Sequence, residues 1–136
     1  MRRFTTAPTT DEIVALADEA LAWAQKRFPR DLARLLEGVA IVVDELPDDE
    51  TVEEMGFESP WELTGLWRGV PMTHRSVLHA PEEPEMVHLY RLPILVEWIE
   101  SGEDLGALVR NVLIHEIAHH FGFSDEEIAR LEREQG

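Results

Sequence analysis

The chain has 136 residues, no cysteine, and 28 aspartates and glutamates against 12 lysines and arginines, which gives a formal net charge of −16. This length predicts one domain over residues 1–136, with a single core. The absence of cysteine excludes disulfides and thiolate metal sites, so any metal must bind to nitrogen and oxygen ligands. An acidic surface of this kind repels phosphate backbones and argues against a nucleic-acid partner.

We expect the chain to have neither a secretory leader nor a membrane span. Residues 1–6 are not followed by an apolar h-region, and no apolar run approaches the length that crosses a bilayer. We therefore expect a cytoplasmic protein without a membrane partner.

The N-terminal part of the chain predicts two helices whose role is packing. Thr9 and Glu12 have the spacing of a capping box, in which each side chain bonds the other residue's backbone N–H. The helix that follows has apolar residues at helical spacing and is expected to end near residues 28–29. Asp31 is expected to cap a second, short helix that runs to Leu36.

Three segments predict a small sheet. The β-branched run at 39–43 is apolar on both faces, which is typical of a strand covered on both sides. Residues 62–70 and 86–91 predict the second and third strands, and Pro93 is expected to end the third. The acidic segment 46–60 between the first two strands is predicted to be a loop with a helical turn near its middle.

The C-terminal part predicts helices after a loop at 71–84. Residues 93–100 indicate a short helix, and Ser101 with Asp104 indicates a capping box that begins a long one. The long helix, residues 105–121, is apolar almost all the way round, which is typical of a buried helix. The predicted fold class is α+β: a mixed sheet of about three strands packed with helices.

The last two turns of the long helix carry four ionisable side chains. His115 and His119 lie on one face, about 6 Å apart along the helix axis, so both imidazoles can reach one ion. Glu116 is offset by one position and can address a metal-bound water, as a general base does. His120 points about 100° away from His119, which predicts a supporting or packing role. Since buried ionisable groups are costly unless paired or metal-bound, the pattern favours a metal site.

Two residues beyond the helix extend this pattern. Gly122 can adopt the left-handed conformation that closes a helix, and Ser124 with Glu127 predicts a capping box for a new one. Asp125 then lies in the first turn after the reversal, from where its carboxylate can return toward the two histidines. Two imidazoles, one carboxylate and an open position are typical of catalytic zinc, whereas structural zinc usually has four protein ligands.

Residues 110–128 contain the pattern H-E-x-x-H-x-x-G-x-x-D, which resembles the zinc motif of the zincin superfamily in its aspartate variant. The stretch from His115 to Asp125 also resembles the small bacterial zincin-like metallopeptidases called mini-zincins. The resemblance implies a small zincin-like domain and a zinc-dependent hydrolase of peptide bonds, with a peptide or protein as substrate. It implies that His115, His119 and Asp125 are metal ligands and that Glu116 is the catalytic general base.

The resemblance also implies where a substrate binds. Zincins line up a peptide against an edge strand beside the metal helix, and residues 88–91 are expected to be that strand. Tyr90 could then help to polarise a carbonyl, or it could simply be part of the core.

Two alternatives from other classes remain open. The first is a metal-binding protein without turnover on a zincin scaffold, which differs from an enzyme in lacking an open coordination position reached by a cleft. The second is an interaction protein whose acidic surface binds a basic partner and whose metal is structural, so that Glu116 is dispensable.

Overall fold

The structure is a computed structural model that describes residues 6–68, 85–120, 122, 126, 127, 129 and 130. Its elements are α1 (Thr10–Arg27), α2 (Arg30–Leu36), β1 (Val39–Asp44), α3 (Asp49–Glu54), a 3₁₀ turn (Pro60–Glu62), β2 (Gly65–Arg68), β3 (Glu85–Tyr90), α4 (Arg91–Ser101) and α5 (Leu105–His120). The predicted α+β class is confirmed. The loop predicted at 71–84 and most of the closing helix predicted after Asp125 lie outside these residues.

The three strands form one mixed sheet in the order β1-β3-β2. Strand β1 runs parallel to β3, with Ile41 opposite Val87, and β2 runs antiparallel to β3, with Trp67 opposite Val87. The expectation that residues 88–91 are the edge strand is therefore wrong, because β3 is the central strand and Arg91 already begins α4. Of the strands that the structure describes, β2 is the edge strand in contact with α5.

Helices α1 and α5 pack on each other and cover one face of the sheet. Val87 and Leu89 point to this face and are fully buried. Helix α1 contributes small buried residues, among them Ala17, Ala20 and Ala24, which let the two helices approach closely. Each large apolar side chain buried here stabilises the fold by about 1.5–3 kcal/mol. The apolar surface predicted for the long helix is thus the centre of the core.

The opposite face of the sheet carries α3, and strand β1 is half-buried on both of its faces. The first five residues of β1 are half-buried and its last residue, Asp44, is exposed, so the prediction of a strand covered on both sides is wrong. Helix α3 contacts this face through Thr51, whose hydroxyl accepts a hydrogen bond from Arg68. Asp48 caps α3, since its Oδ1 accepts from the Thr51 N–H at 2.8 Å. The helical turn predicted in the acidic segment is therefore a complete short helix.

Local signals predicted some of the helix ends correctly. The Thr9–Glu12 capping box is present, with both hydrogen bonds at 3.1 Å, and α1 ends at Arg27 as expected. Helix α2 is not capped by Asp31: it begins at Arg30, directly after Pro29, whose extended backbone turns the chain into the helix without a side-chain cap.

Two further boundaries differ from the prediction. Pro93 does not end β3 but lies in the first turn of α4, where the missing N–H has no intrahelical partner to lose. Gly102, with φ +73°, closes α4, so the predicted Ser101 capping box does not form. Asp104 alone caps α5, since its Oδ2 accepts from the Ala107 N–H at 3.1 Å. In the described part of the chain, no helix is long and apolar enough to cross a membrane.

Candidate active site

The two histidines of the motif project together from the last turns of α5. The ring centres of His115 and His119 are 6.0 Å apart and their planes are nearly perpendicular, at 89°. His115 is half-buried, whereas His119 is exposed. With Zn–N bonds of about 2.1 Å, two imidazoles on one tetrahedral zinc have their ring centres roughly 5–6 Å apart. The pair therefore fits a shared zinc ion.

The helix ends directly after the second histidine. Gly122 has a φ of +86°, and its N–H donates a hydrogen bond to the His119 carbonyl at 3.0 Å. This left-handed conformation costs glycine little but strains any residue with a Cβ, so the predicted helix stop is confirmed.

The third predicted ligand, Asp125, lies outside the described residues. Within the part of the chain that the structure describes, no group of three His, Cys, Asp or Glu side chains is arranged to hold a metal. The described site thus contributes two nitrogen donors, a set that needs a further ligand to make a three-ligand catalytic zinc site. The assignment of His115, His119 and Asp125 as ligands stays a prediction.

Glu116 lies between the two histidines in sequence and is half-buried. Burial raises the pKa of its carboxyl group, while the nearby His119 and a hydrogen bond from the Trp67 backbone N–H oppose the rise. A carboxylate with a raised pKa holds a proton more readily near neutral pH, which suits a general base. The environment of Glu116 therefore agrees with the predicted role, which itself stays a prediction.

The hydrogen bond from Trp67 follows from the register of β2. The Tyr90 N–H donates to the Thr64 carbonyl at 2.9 Å, so Thr64 and every second residue after it bond to β3. The backbone groups of Gly65 and Trp67 therefore point outward from the sheet. The outward N–H of Trp67 reaches Glu116, which places the edge strand directly beside the candidate base.

Trp67 also contacts α5 through its ring. Its indole stacks on the imidazole of His120, with ring centres 3.9 Å apart and planes 16° from parallel. His120 therefore packs against the sheet rather than joining the ring pair of His115 and His119. Sequence reasoning placed Trp67 in a strand but gave it no part in the site. The pattern of the predicted strand could have indicated it, because Trp67 occupies the face toward the core.

Tyr90 lies on the other side of the sheet from α5. Its side chain is buried, at 3% exposure, and burial raises the pKa of its hydroxyl while a hydrogen bond with Arg68 opposes the rise. With Asp44, Arg68 and His88 it lines a polar cavity of about 540 Å³. Because this face is opposite to Glu116, Tyr90 does not polarise a carbonyl at the candidate site, and the packing alternative is the correct one.

The comparison with known families agrees with this geometry. A family model described as zincin-like metallopeptidase matches residues 36–135. The chain belongs to this family. The matched part of this zincin-like protein includes β2, β3, the whole of α5 and the motif through Asp125. The family consists of metallopeptidases, which are hydrolases, and implies zinc binding in general. The chain matches no curated protein.

Proposed function

We propose that this zincin-like protein is a zinc-dependent metallopeptidase that uses Glu116 as the general base. The observation that carries the proposal is the position of Glu116. It is half-buried, lies on the helix between two histidines whose rings are 6.0 Å apart, and faces the backbone N–H of Trp67 in the edge strand. His115, His119 and Asp125 are the proposed zinc ligands, and a peptide or protein is the proposed substrate.

Zinc and Glu116 have different roles in the proposed reaction. Zinc, when bound, supplies Lewis-acid polarisation of the scissile carbonyl and acidifies a coordinated water. Glu116 takes the proton of the attacking water on its carboxylate and passes it to the nitrogen of the leaving amine. Burial of this carboxylate, which raises its pKa, makes both transfers easier near neutral pH.

The edge strand provides a surface on which an extended peptide can be held. The antiparallel pairing with β3 turns the backbone N–H and carbonyl of Gly65 and the carbonyl of Trp67 outward, while the outward N–H of Trp67 faces Glu116. An extended substrate can add to such an edge by β-augmentation, in which backbone hydrogen bonds supply affinity and alternate side chains supply specificity. We therefore assign substrate binding to β2 instead of the β3 residues that the sequence suggested.

The test is a matched pair of glutamate-to-glutamine variants, assayed on a peptide library with zinc-loaded protein. Glu116→Gln is expected to lower kcat by roughly 10²–10⁴-fold and to leave zinc affinity intact, because the amide cannot take a proton. Glu126→Gln, which removes the same charge from an exposed position nearby, is expected to keep wild-type activity. Full activity in Glu116→Gln would refute the mechanism. Zinc binding without turnover by the wild type would instead favour the non-catalytic metal-binding alternative.

A further inference from the structure

One row of residues on α5 contacts β2 along its length. Val112, Glu116 and His120 are spaced four residues apart and therefore lie on one face of the helix. A Cβ placed on Gly65 would be 2.8 Å from Val112 Cγ1, so the strand backbone is already in close contact at this end of the row. At the other end, the Trp67 ring stacks on His120.

Glu116 occupies the middle of this row. Its carboxylate faces the backbone N–H of Trp67, the same residue whose ring stacks on His120. The indole and the N–H of Trp67 are joined through a single Cα, so a ring held on His120 restricts the direction in which the N–H points. The ring and the N–H of Trp67 thus face His120 and Glu116, which are one helical turn apart.

The histidines proposed as ligands belong to a neighbouring row. His115 and His119 are each one position before the residues that contact β2, so their rings project from a different side of the helix. Glu116 therefore faces the strand from a side of the helix other than the side that carries the rings of His115 and His119. This division separates the positioning of the base from the binding of the metal.

We propose that Trp67 and His120 are positioning residues for Glu116, the stack between their rings holding β2 so that the Trp67 N–H orients the Glu116 carboxylate. One carboxylate oxygen is then fixed by the strand, and the other is available for the proton transfers. The inference rests on the proposed function and adds to it two residues that are neither metal ligands nor proton carriers.

The experiment compares three substitutions of His120. His120→Phe keeps a flat ring that can stack on the indole, His120→Ala removes it, and His120→Leu keeps bulk without an aromatic face if the alanine variant does not fold. Trp61→Leu is the control for loss of an exposed indole elsewhere, since this ring is 49% exposed. The first readout is hydrogen exchange of the Trp67 amide in metal-free protein, and the second is the split between kcat and KM on a cleaved peptide.

We expect faster exchange of the Trp67 amide in His120→Ala and His120→Leu, as in Glu116→Ala, which removes the acceptor. In zinc-loaded protein the same two variants should lose roughly 10- to 100-fold in kcat with little change in KM, because a misplaced base slows chemistry more than binding. His120→Phe should restore wild-type exchange and most of kcat, and zinc affinity should be unchanged in all three.

The inference is overturned if His120→Ala leaves both the Trp67 amide exchange and kcat at wild-type values. Faster exchange with unchanged kcat also overturns it, since the contact would then not position the base. Loss of zinc by His120→Phe would overturn it as well, because His120 would be a ligand. A wild type that cleaves no peptide would refute the proposed function separately, and the exchange measurement would still decide whether the stack holds the Trp67 N–H.

Discussion

Gly65 is a position at which the edge strand β2 lies close to α5. It is buried, and a Cβ built there would be 2.8 Å from Val112 Cγ1, 3.3 Å from the His88 carbonyl oxygen and 3.3 Å from Leu89 Cδ2. The carbonyl belongs to the central strand, and valine has a stiff χ1. The variant Gly65→Ala must therefore move β2 and α5 apart or force Val112 out of its rotamer.

The size of this effect follows from two opposing contributions. Overpacking a buried site by one methyl group costs about 1–3 kcal/mol. Replacing glycine by alanine stabilises the folded state by about 0.4–1 kcal/mol, because the unfolded chain then has less conformational entropy. The expected net loss is about 1–2 kcal/mol, which for a chain of 136 residues lowers Tm by about 3–7 °C.

The assay is urea or thermal unfolding of the single variants and of the double variant Gly65→Ala/Val112→Ala. Removing the Val112 methyl groups should make room for the new Cβ, so the double variant should be more stable than the two single losses predict, by about 1 kcal/mol. Gly38→Ala is the matched control, since a Cβ there meets nothing within 4 Å and its φ is not positive. If Gly65→Ala is as stable as Gly38→Ala, or the two losses simply add, the close contact between β2 and α5 is not real.

Three further predictions test other parts of the account. Burial raises the pKa of Glu116 above its ordinary 4.5, so the folded state holds this proton more tightly than the unfolded state. Metal-free wild type should therefore lose stability relative to Glu116→Gln as the pH rises from below 4.5 through the raised pKa. Urea unfolding of both proteins across this pH range measures the difference. If the free energies of unfolding of the two proteins change with pH in the same way, Glu116 is not buried as described. Leu113→Ala, at a fully buried position of α5, should lower the free energy of unfolding by about 2–5 kcal/mol in the same assay. A loss of less than about 1 kcal/mol would contradict the core position of Leu113. Thr9→Ala should cost about 1 kcal/mol through loss of the cap, seen as a lower Tm, and a neutral result would exclude the capping box.

The features that the sequence predicted correctly depend on residues close together in the chain. The Thr9–Glu12 cap, the strand beginning at Val39 and the stop at Gly122 each follow from a few neighbouring residues. The pairing of His115 with His119 is likewise a matter of helical spacing, and their rings are within reach of one ion. Helical geometry alone therefore predicted the placement of these two rings, while their role as metal ligands stays a prediction.

The features that the sequence did not predict depend on residues distant in the chain. Strand order is decided by pairing between β1, β2 and β3, and nothing in the local pattern at 88–91 shows that this strand is central. For the same reason Trp67 could not be connected to Glu116, which is 49 positions later. The prediction that Pro93 ends β3 was wrong because a proline can end a strand but is equally compatible with the first turn of a helix.

The central claim is a zinc site built from His115, His119 and Asp125, and zinc titration of the purified protein tests it most directly. The account predicts one equivalent of zinc bound by the wild type and a many-fold loss of affinity in Asp125→Ala, with wild-type affinity in the control Glu126→Ala. A folded wild type that binds no zinc would contradict the account, and so would an Asp125→Ala variant that binds zinc as tightly as the control.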